Sequence, residues 1–163
     1  LPQVNIGRCP SRHHRRVEIV IEVGEVEMLV SRIMRAPVTT ITPDTSVQVA
    51  AALMAKLDLG ALPVCEDGRL VGIVTDREIV VRWAARSVVN SPVAPFMSPD
   101  VVTCRADQTV KEAAYLMSDM QIRRLGVLDA EGAVVGMITL GDIARDASEE
   151  LAGQTLGEIV EEL

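Results

Sequence analysis

Aromatic residues are nearly absent from this chain: Trp83, Phe96 and Tyr115 are the only three among 163 residues. Any core must be filled by Val, Ile, Leu, Met and Ala. Single-stranded nucleic-acid binding, which stacks bases on aromatic rings, is disfavoured by the same scarcity. Histidine is confined to the adjacent pair His13 and His14, so the rest of the chain has no imidazole to serve as a general base. The three cysteines, Cys9, Cys65 and Cys104, are odd in number, widely spaced and free of any CxxC pair. Neither a disulfide framework nor a zinc ribbon fits that pattern, and a reducing cytoplasm is the expected location. Basic charge is also scarce: the formal net charge is −7, which argues against nucleic acid and anionic membranes as bulk partners. No apolar run approaches the ~18 residues of a membrane span, and the opening LPQVNIGRCPSRHHRR has no signal-peptide core.

What is present is a globular composition, 48% apolar and 24% charged, over a length that suits one ordinary domain or two small ones. An internal repeat decides for two. Met34 aligns with Met97, Thr40 with Thr103, Asp44 with Asp107, Val47 with Val110, Met54 with Met117 and Val64 with Val127, each pair 63 apart. Beyond one inserted residue in a turn the offset becomes 64, pairing Gly68 with Gly132, Gly72 with Gly136, Thr75 with Thr139 and Ile79 with Ile143.

Each copy reads as β-α-β-β-α. A β-branched stretch (38–42; 101–104) precedes a helix whose apolar residues fall at i, i+3, i+4 and i+7: Val47, Ala50, Ala51, Met54, and Val110, Ala113, Ala114, Met117. Two strands follow (62–65 with 70–75; 125–128 with 134–139), joined by the turns Glu66-Asp67-Gly68-Arg69 and Asp129-Ala130-Glu131-Gly132. A second helix starts after Thr75 and after Thr139. The predicted fold is therefore mixed α/β (α+β), two pseudo-symmetric repeats packed sheet to sheet around a shared core. Residues 1–27 form a leader outside the repeat, 28–93 the first repeat and its linker, 94–147 the second repeat, and 148–163 an acidic amphipathic helix. The chain's first methionine is Met28, just after the leader and read as the natural start, and the leader's alternating 17–23 could add a strand. The tail carries five glutamates and no base, leaving −2 for residues 1–147. Thr155 and Glu158 there form a capping-box pattern with Leu156, Ile159, Val160 and Leu163 on one face, expected to dock on its own or a sister subunit.

Both repeats close on a glycine, two apolar residues, and a Thr three residues before an acid: Gly72-Ile73-Val74-Thr75-Asp76-Arg77-Glu78 and Gly136-Met137-Ile138-Thr139-Leu140-Gly141-Asp142. Thr-x-x-acid at a strand-to-helix junction is a capping box. The same geometry suits a nucleotide: a helix N-terminus and a hydroxyl favour phosphate, an acid one turn on can accept from a ribose diol, and glycine lets a ligand approach. Both readings stand on the local pattern.

The duplicated motifs, with Ile33-Met34 and Phe96-Met97 leading each half, Ala61-Leu62-Pro63-Val64 and Arg124-Leu125-Gly126-Val127 before the hairpins, and the two Gly-x-x-Thr junctions, resemble a tandem CBS-domain pair, the Bateman module. The resemblance covers about 29–145. It implies a regulatory module that binds an adenine nucleotide (AMP, ADP or ATP) or S-adenosylmethionine between its halves, forms a homodimer, and signals by a change of shape to an effector protein. No cofactor is required and no catalysis is implied. Carried over by residue, Thr139 would face phosphate and Asp142 the ribose; Val101, Val102 and Thr103 would line the adenine; Arg123 or Arg124 would reach phosphate. Thr75 matches in the first half, where Glu78 is one methylene longer than the expected Asp, and Thr40, Ala61 and Leu62 complete the candidate set. Arg35 and Arg77 are further bases near the junctions. Asp142→Ala is expected to remove ribose affinity and leave the fold intact.

Two other classes compete with this reading. An enzyme lacks a histidine in either repeat to activate Cys65 or Cys104, and Cys9 with His13 and His14 fits no standard metal spacing. A ligand-free dimerisation or adaptor module remains compatible, because capping boxes alone explain both junctions.

Overall fold

Ser46 and Thr109, equivalent in the repeat, each accept a hydrogen bond from the amide three residues on, Val49 and Glu112, both at 3.2 Å. Each thereby starts the amphipathic helix of its half. These contacts are seen in a computed structural model that describes residues 28–86 and 90–161. The elements are α1 (Val30–Ile33), α2 (Val47–Leu57), β1 (Ala61–Glu66), β2 (Arg69–Thr75) and α3 (Asp76–Glu78), which runs on as a π-helical turn (Ile79–Trp83) and a 3₁₀ turn (Ala84–Arg86). The second half has β3 (Thr103–Arg105), α4 (Val110–Asp119), β4 (Arg124–Leu128), β5 (Val134–Thr139) and α5 (Leu140–Asp146), followed by α6 (Glu149–Glu161). Cys9, His13, His14 and the alternating 17–23 lie outside the described residues.

Both hairpins form as expected, β1 with β2 and β4 with β5, antiparallel, and β3 joins β4 in parallel. The first-half counterpart of β3, expected over 38–42, is reduced to a parallel bridge of Ile41 with Val64. The inserted residue that shifts the repeat from 63 to 64 is absorbed at the second turn. Asp67 and Gly68 hold the first turn with positive φ (49° and 77°). In the longer second turn Asp129 Oδ1 accepts from the Glu131 and Ala133 amides at 3.0 and 2.8 Å, a side chain standing in for backbone.

The segment leading into each repeat packs on the other repeat, with matched hydrogen bonds. Val30 and Ser31 donate to the carbonyls of Gln108 and Ala106; 63 residues on, Val93 and Ala94 donate to those of Thr45 and Pro43. Arg35 pairs reciprocally with Met137 on β5, and Ser98 with Ile73 on β2. The side chains follow the same exchange. A Cβ at Gly136 would lie 2.8 Å from Met34 Sδ, and one at Gly72 would lie 2.5 Å from Met97 Sδ, so both glycines admit the opposite methionine.

The buried residues consequently form two cores, where the sequence reading expected one shared core. Val30 and Ile33 lie with Val110, Ala113, Ala114, Met117, Leu125, Val127, Ile138 and Ile143 of the second repeat. Val93 and Phe96 lie with Val47, Ala50, Met54, Leu62, Val64 and Val74 of the first. Each sheet is covered by its own helices plus one exchanged segment, and burying each such Val, Ile or Phe is worth about 1.5–3 kcal/mol. The repeats also meet where Leu70 of β2 approaches Gly126 of β4: a Cβ there would lie 3.2 Å from Leu70 Cδ2. A side chain at this position, such as the proline at the equivalent position 63, would require Leu70 to give by a few tenths of an ångström.

The tail is helical and docks on its own chain, burying Leu151, Ala152, Thr155 and Ile159 with the second-repeat core. Its start is not at Thr155. Ser148 Oγ accepts from the Leu151 amide at 3.1 Å, while the buried Thr155 hydroxyl donates to the Leu151 carbonyl at 2.8 Å. Leu156 and Val160 are exposed, and Leu163 lies outside the described residues. Among the described residues no helix is long and apolar enough to cross a membrane.

Candidate functional site

Both junction threonines complete capping boxes. The Thr75 hydroxyl accepts from the Glu78 amide at 3.2 Å and the Thr139 hydroxyl from the Asp142 amide at 3.1 Å, while each acid accepts from the threonine's own amide at 2.9 Å. Beyond that the junctions differ. Asp142 has no exposed surface. Its Oδ1 accepts from Arg35 Nε at 3.0 Å and Arg145 Nη2 at 2.7 Å, and its Oδ2 from the Thr139 amide and hydroxyl at 2.9 and 2.6 Å. The four acceptor positions of a carboxylate are thereby filled. Burial pushes this carboxyl upward, but the hydrogen bonds from Thr139, Arg35 and Arg145 outweigh it and hold its pKa below the usual carboxylate value. Asp142 is thus a structural centre as well as a candidate ligand group, so Asp142→Ala is expected to cost stability in addition to any ribose contact. At the other junction Glu78 accepts from Ser98 Oγ and pairs with Arg82 at 3.4 Å. Ser98 is the repeat equivalent of Arg35.

A cavity of about 760 Å³ opens beside Thr139. Apolar wall comes from Val38, Leu57, Leu59, Ala61 and Pro63 of the first repeat and from Met137, Leu140 and Ala144 of the second. Three guanidinium groups border it, Arg35, Arg123 and Arg124, against the carboxylates of Asp58 and Glu149. Arg124 also ties the two halves, donating to the Gly60 carbonyl at 3.0 Å. No aromatic ring lines the cavity. Helix α6 adds Glu149, Ala152, Gly153 and Leu156.

Of the residues picked from sequence, Thr139, Arg123, Arg124 and Ala61 come together here, with Asp142 behind the wall on Thr139 and Arg35. Val101, Val102 and Thr103 do not join them. Because the leading segments are exchanged, residues 37–39 border the cavity beside Thr139. Val101 and Thr103 line a second cavity of about 480 Å³ between the hairpin turns, and Val102 packs on the second core. Leu62 is fully buried in the first core, and Thr40 is exposed outside the cavity. Thr75 and Glu78, at the opposite junction, line neither cavity. Arg77 lines neither as well. The α6 residues and Gly60 had no signal in the repeat; the exchange was legible only from the tertiary hydrogen bonds. Among the described residues no group of three His, Cys, Asp or Glu side chains is placed to hold a metal ion.

Comparison with known proteins gives the same organisation. The family model for the CBS domain matches residues 30–84 and 93–149. The CBS domain-containing protein YhcV of Bacillus subtilis is 38% identical over 128 residues, 77% of this chain and 91% of its own. An inosine-5'-monophosphate dehydrogenase of Thermoplasma acidophilum is 34% identical over 147 residues, 87% of this chain but 28% of the enzyme. Among solved structures, the CBS domain pair of protein MJ0100 in complex with 5'-methylthioadenosine and S-adenosyl-L-methionine superposes with a TM-score of 0.65 at 31% identity, over 72% of this chain and 94% of that one. CBSX2 in complex with AMP superposes with a TM-score of 0.63 at 28% identity, over the same 72% and 94%.

Proposed function

This chain belongs to the CBS-domain family, and on that premise we propose that it is a regulatory, non-catalytic module holding an adenosine-containing ligand between its repeats. The observation that carries the reading is the cavity beside Thr139: about 760 Å³, walled by aliphatic side chains from both repeats and bordered by Arg35, Arg123 and Arg124. Small-molecule sites fall at roughly 300–1,000 Å³ with a few polar groups on apolar walls. The adenosyl ligands of MJ0100 and the AMP of CBSX2 support the chemical class.

In this reading Val38, Leu57 and Ala61 flank the base, Arg123 and Arg124 meet an anionic group, and Thr139 and Asp142 face the ribose. Aliphatic walls make the base contribution modest. A ribose hydroxyl reaches the Asp142 carboxylate only by displacing Arg35 or Arg145, since its acceptor positions are filled. Arg35 lies on the segment exchanged between repeats, so its displacement couples occupancy to the packing of the two halves. The ligand favours whichever packing binds it better, by its differential affinity and no more, and a partner protein reads the difference. The exposed Val80 and Val81 on the π-helical turn support self-association as a homodimer.

Thermal unfolding with AMP, ADP, ATP and S-adenosylmethionine tests the reading. Binding to the folded state adds ~2.7 kcal/mol at a hundredfold excess over the Kd, so at least one compound is expected to raise the midpoint. No shift with any of them at millimolar concentration favours a ligand-free dimerisation module. The completed capping boxes and the saturated Asp142 are the observations on that side.

A further inference from the structure

Helix α6 extends past the family-matched residues, which end at 149, yet it supplies part of the cavity wall. Its docking face is accounted for: Leu151, Ala152, Thr155 and Ile159 are buried on the second repeat. Its other residues at the cavity are Glu149, Gly153 and Leu156, spaced three and four apart and so on one helical face. Leu156 is 40% exposed, and the surface it exposes borders this cavity. Gly153 sits mid-helix, where glycine is unfavourable. A Cβ built there meets nothing within 4 Å, so neither close packing nor backbone conformation requires the glycine.

We propose that α6 is the specificity wall of the ligand cavity, in which Gly153 leaves the space that a nucleoside-sized ligand occupies and Leu156 packs against that ligand. The inference rests on the reading of the cavity as a ligand site. It assigns to a helix outside the repeat the role of setting ligand size. A ligand touching both repeats and α6 also holds α6 in place.

The test is titration calorimetry with AMP and with S-adenosylmethionine on the full chain, together with thermal unfolding of each unliganded protein. Gly153→Ala is expected to hold or raise the midpoint of the unliganded protein, because the methyl meets no protein atom and the helix gains, and to weaken the bound probe less than a longer side chain does. Gly153→Leu fills the cavity side of the helix and is expected to weaken the bound probe at least tenfold with no fall in midpoint. Leu156→Ala, at an exposed position, is expected to weaken it severalfold. Wild-type binding that survives both Gly153→Leu and Leu156→Ala unchanged overturns the role of α6 and leaves the ligand site standing. Failure of the wild type to bind either probe overturns both.

Discussion

Replacing Asp142 with alanine removes the acceptor of four hydrogen bonds at once. Two donors are guanidinium groups of Arg35 and Arg145, whose side chains are 56% and 53% exposed; water re-solvates them at little cost. The loss falls on the Thr139 amide and hydroxyl. The Thr139 hydroxyl still caps the amide of residue 142, but leaving the Thr139 amide without its acceptor costs about 1 kcal/mol, and leaving the part-buried hydroxyl without its own costs about 1 kcal/mol more. A domain of this size shifts by roughly 2–4 °C per kcal/mol, so the midpoint at pH 7 is expected to fall by about 4–8 °C. Asparagine is no remedy: all four partners approach as donors, and its NH₂ group would face two of them. The pH dependence separates this from a simple cavity effect. The native carboxyl is more acidic than in the unfolded chain, so unfolding takes up a proton at low pH. Its stabilisation is complete above the ordinary carboxylate pKa and is lost as pH falls through the depressed native value. Calorimetric scans of the wild type and Asp142→Ala from pH 7 to pH 3 are therefore expected to converge. A midpoint change under about 2 °C at pH 7, or a gap that does not narrow on acidification, refutes the structural role of Asp142.

Gly136→Ala is expected to destabilise by about 1–3 kcal/mol. The added methyl meets Met34 Sδ at 2.8 Å and the Arg35 carbonyl at 3.1 Å, and that carbonyl is held by the Met137 amide. For Gly72→Ala the three nearest atoms all belong to the Met97 side chain, a flexible group that yields more readily than a hydrogen-bonded carbonyl; urea unfolding that ranks Gly72→Ala as the costlier change contradicts the account. Burial pushes the Cys104 thiol up to about 11 and also raises that of Cys65, which is only half-buried. At pH 8 a thiol reagent followed site by site is expected to label Cys65 ahead of Cys104, with Cys104 labelled only on unfolding.

The local architecture was legible because it rests on short-range rules. The i, i+3, i+4, i+7 spacing marked α2 and α4, and the Asp-Gly turn and the step from 63 to 64 marked two hairpins of unequal loop length. The capping boxes at Thr75 and Thr139 follow from adjacent residues and formed as their spacing predicts. What escaped the sequence reading depends on which of two equivalent surfaces a segment meets. Val30, Ile33 and Met34 match Val93, Phe96 and Met97 in pattern, so periodicity cannot tell a segment packed on its own repeat from one packed on the other. The carry-over from the family resemblance, which set residues 101–103 with Thr139, meets the same ambiguity: it is residues 37–39 that border the cavity beside Thr139. Thr155 misled for a different reason: a Thr-x-x-Glu pattern also occurs inside a helix, where the hydroxyl donates to the carbonyl four residues back.

The exchange also explains why the two junctions are chemically unlike despite the common pattern. Each leading segment delivers the residue that faces the opposite junction's acid, Arg35 to Asp142 and Ser98 toward Glu78. A guanidinium can neutralise a fully buried carboxylate and still reach the solvent at a cavity edge; a serine hydroxyl cannot, and Glu78 takes its cation from Arg82 one turn along its own helix. Among the described residues, the ion pair at the junction acid therefore crosses between repeats on one side only. The side so linked is the one where Arg123, Arg124 and the wall of α6 gather around Thr139. The junctions are equivalent in backbone, and the identity of one residue on each exchanged segment decides which of them carries an ion pair between the halves.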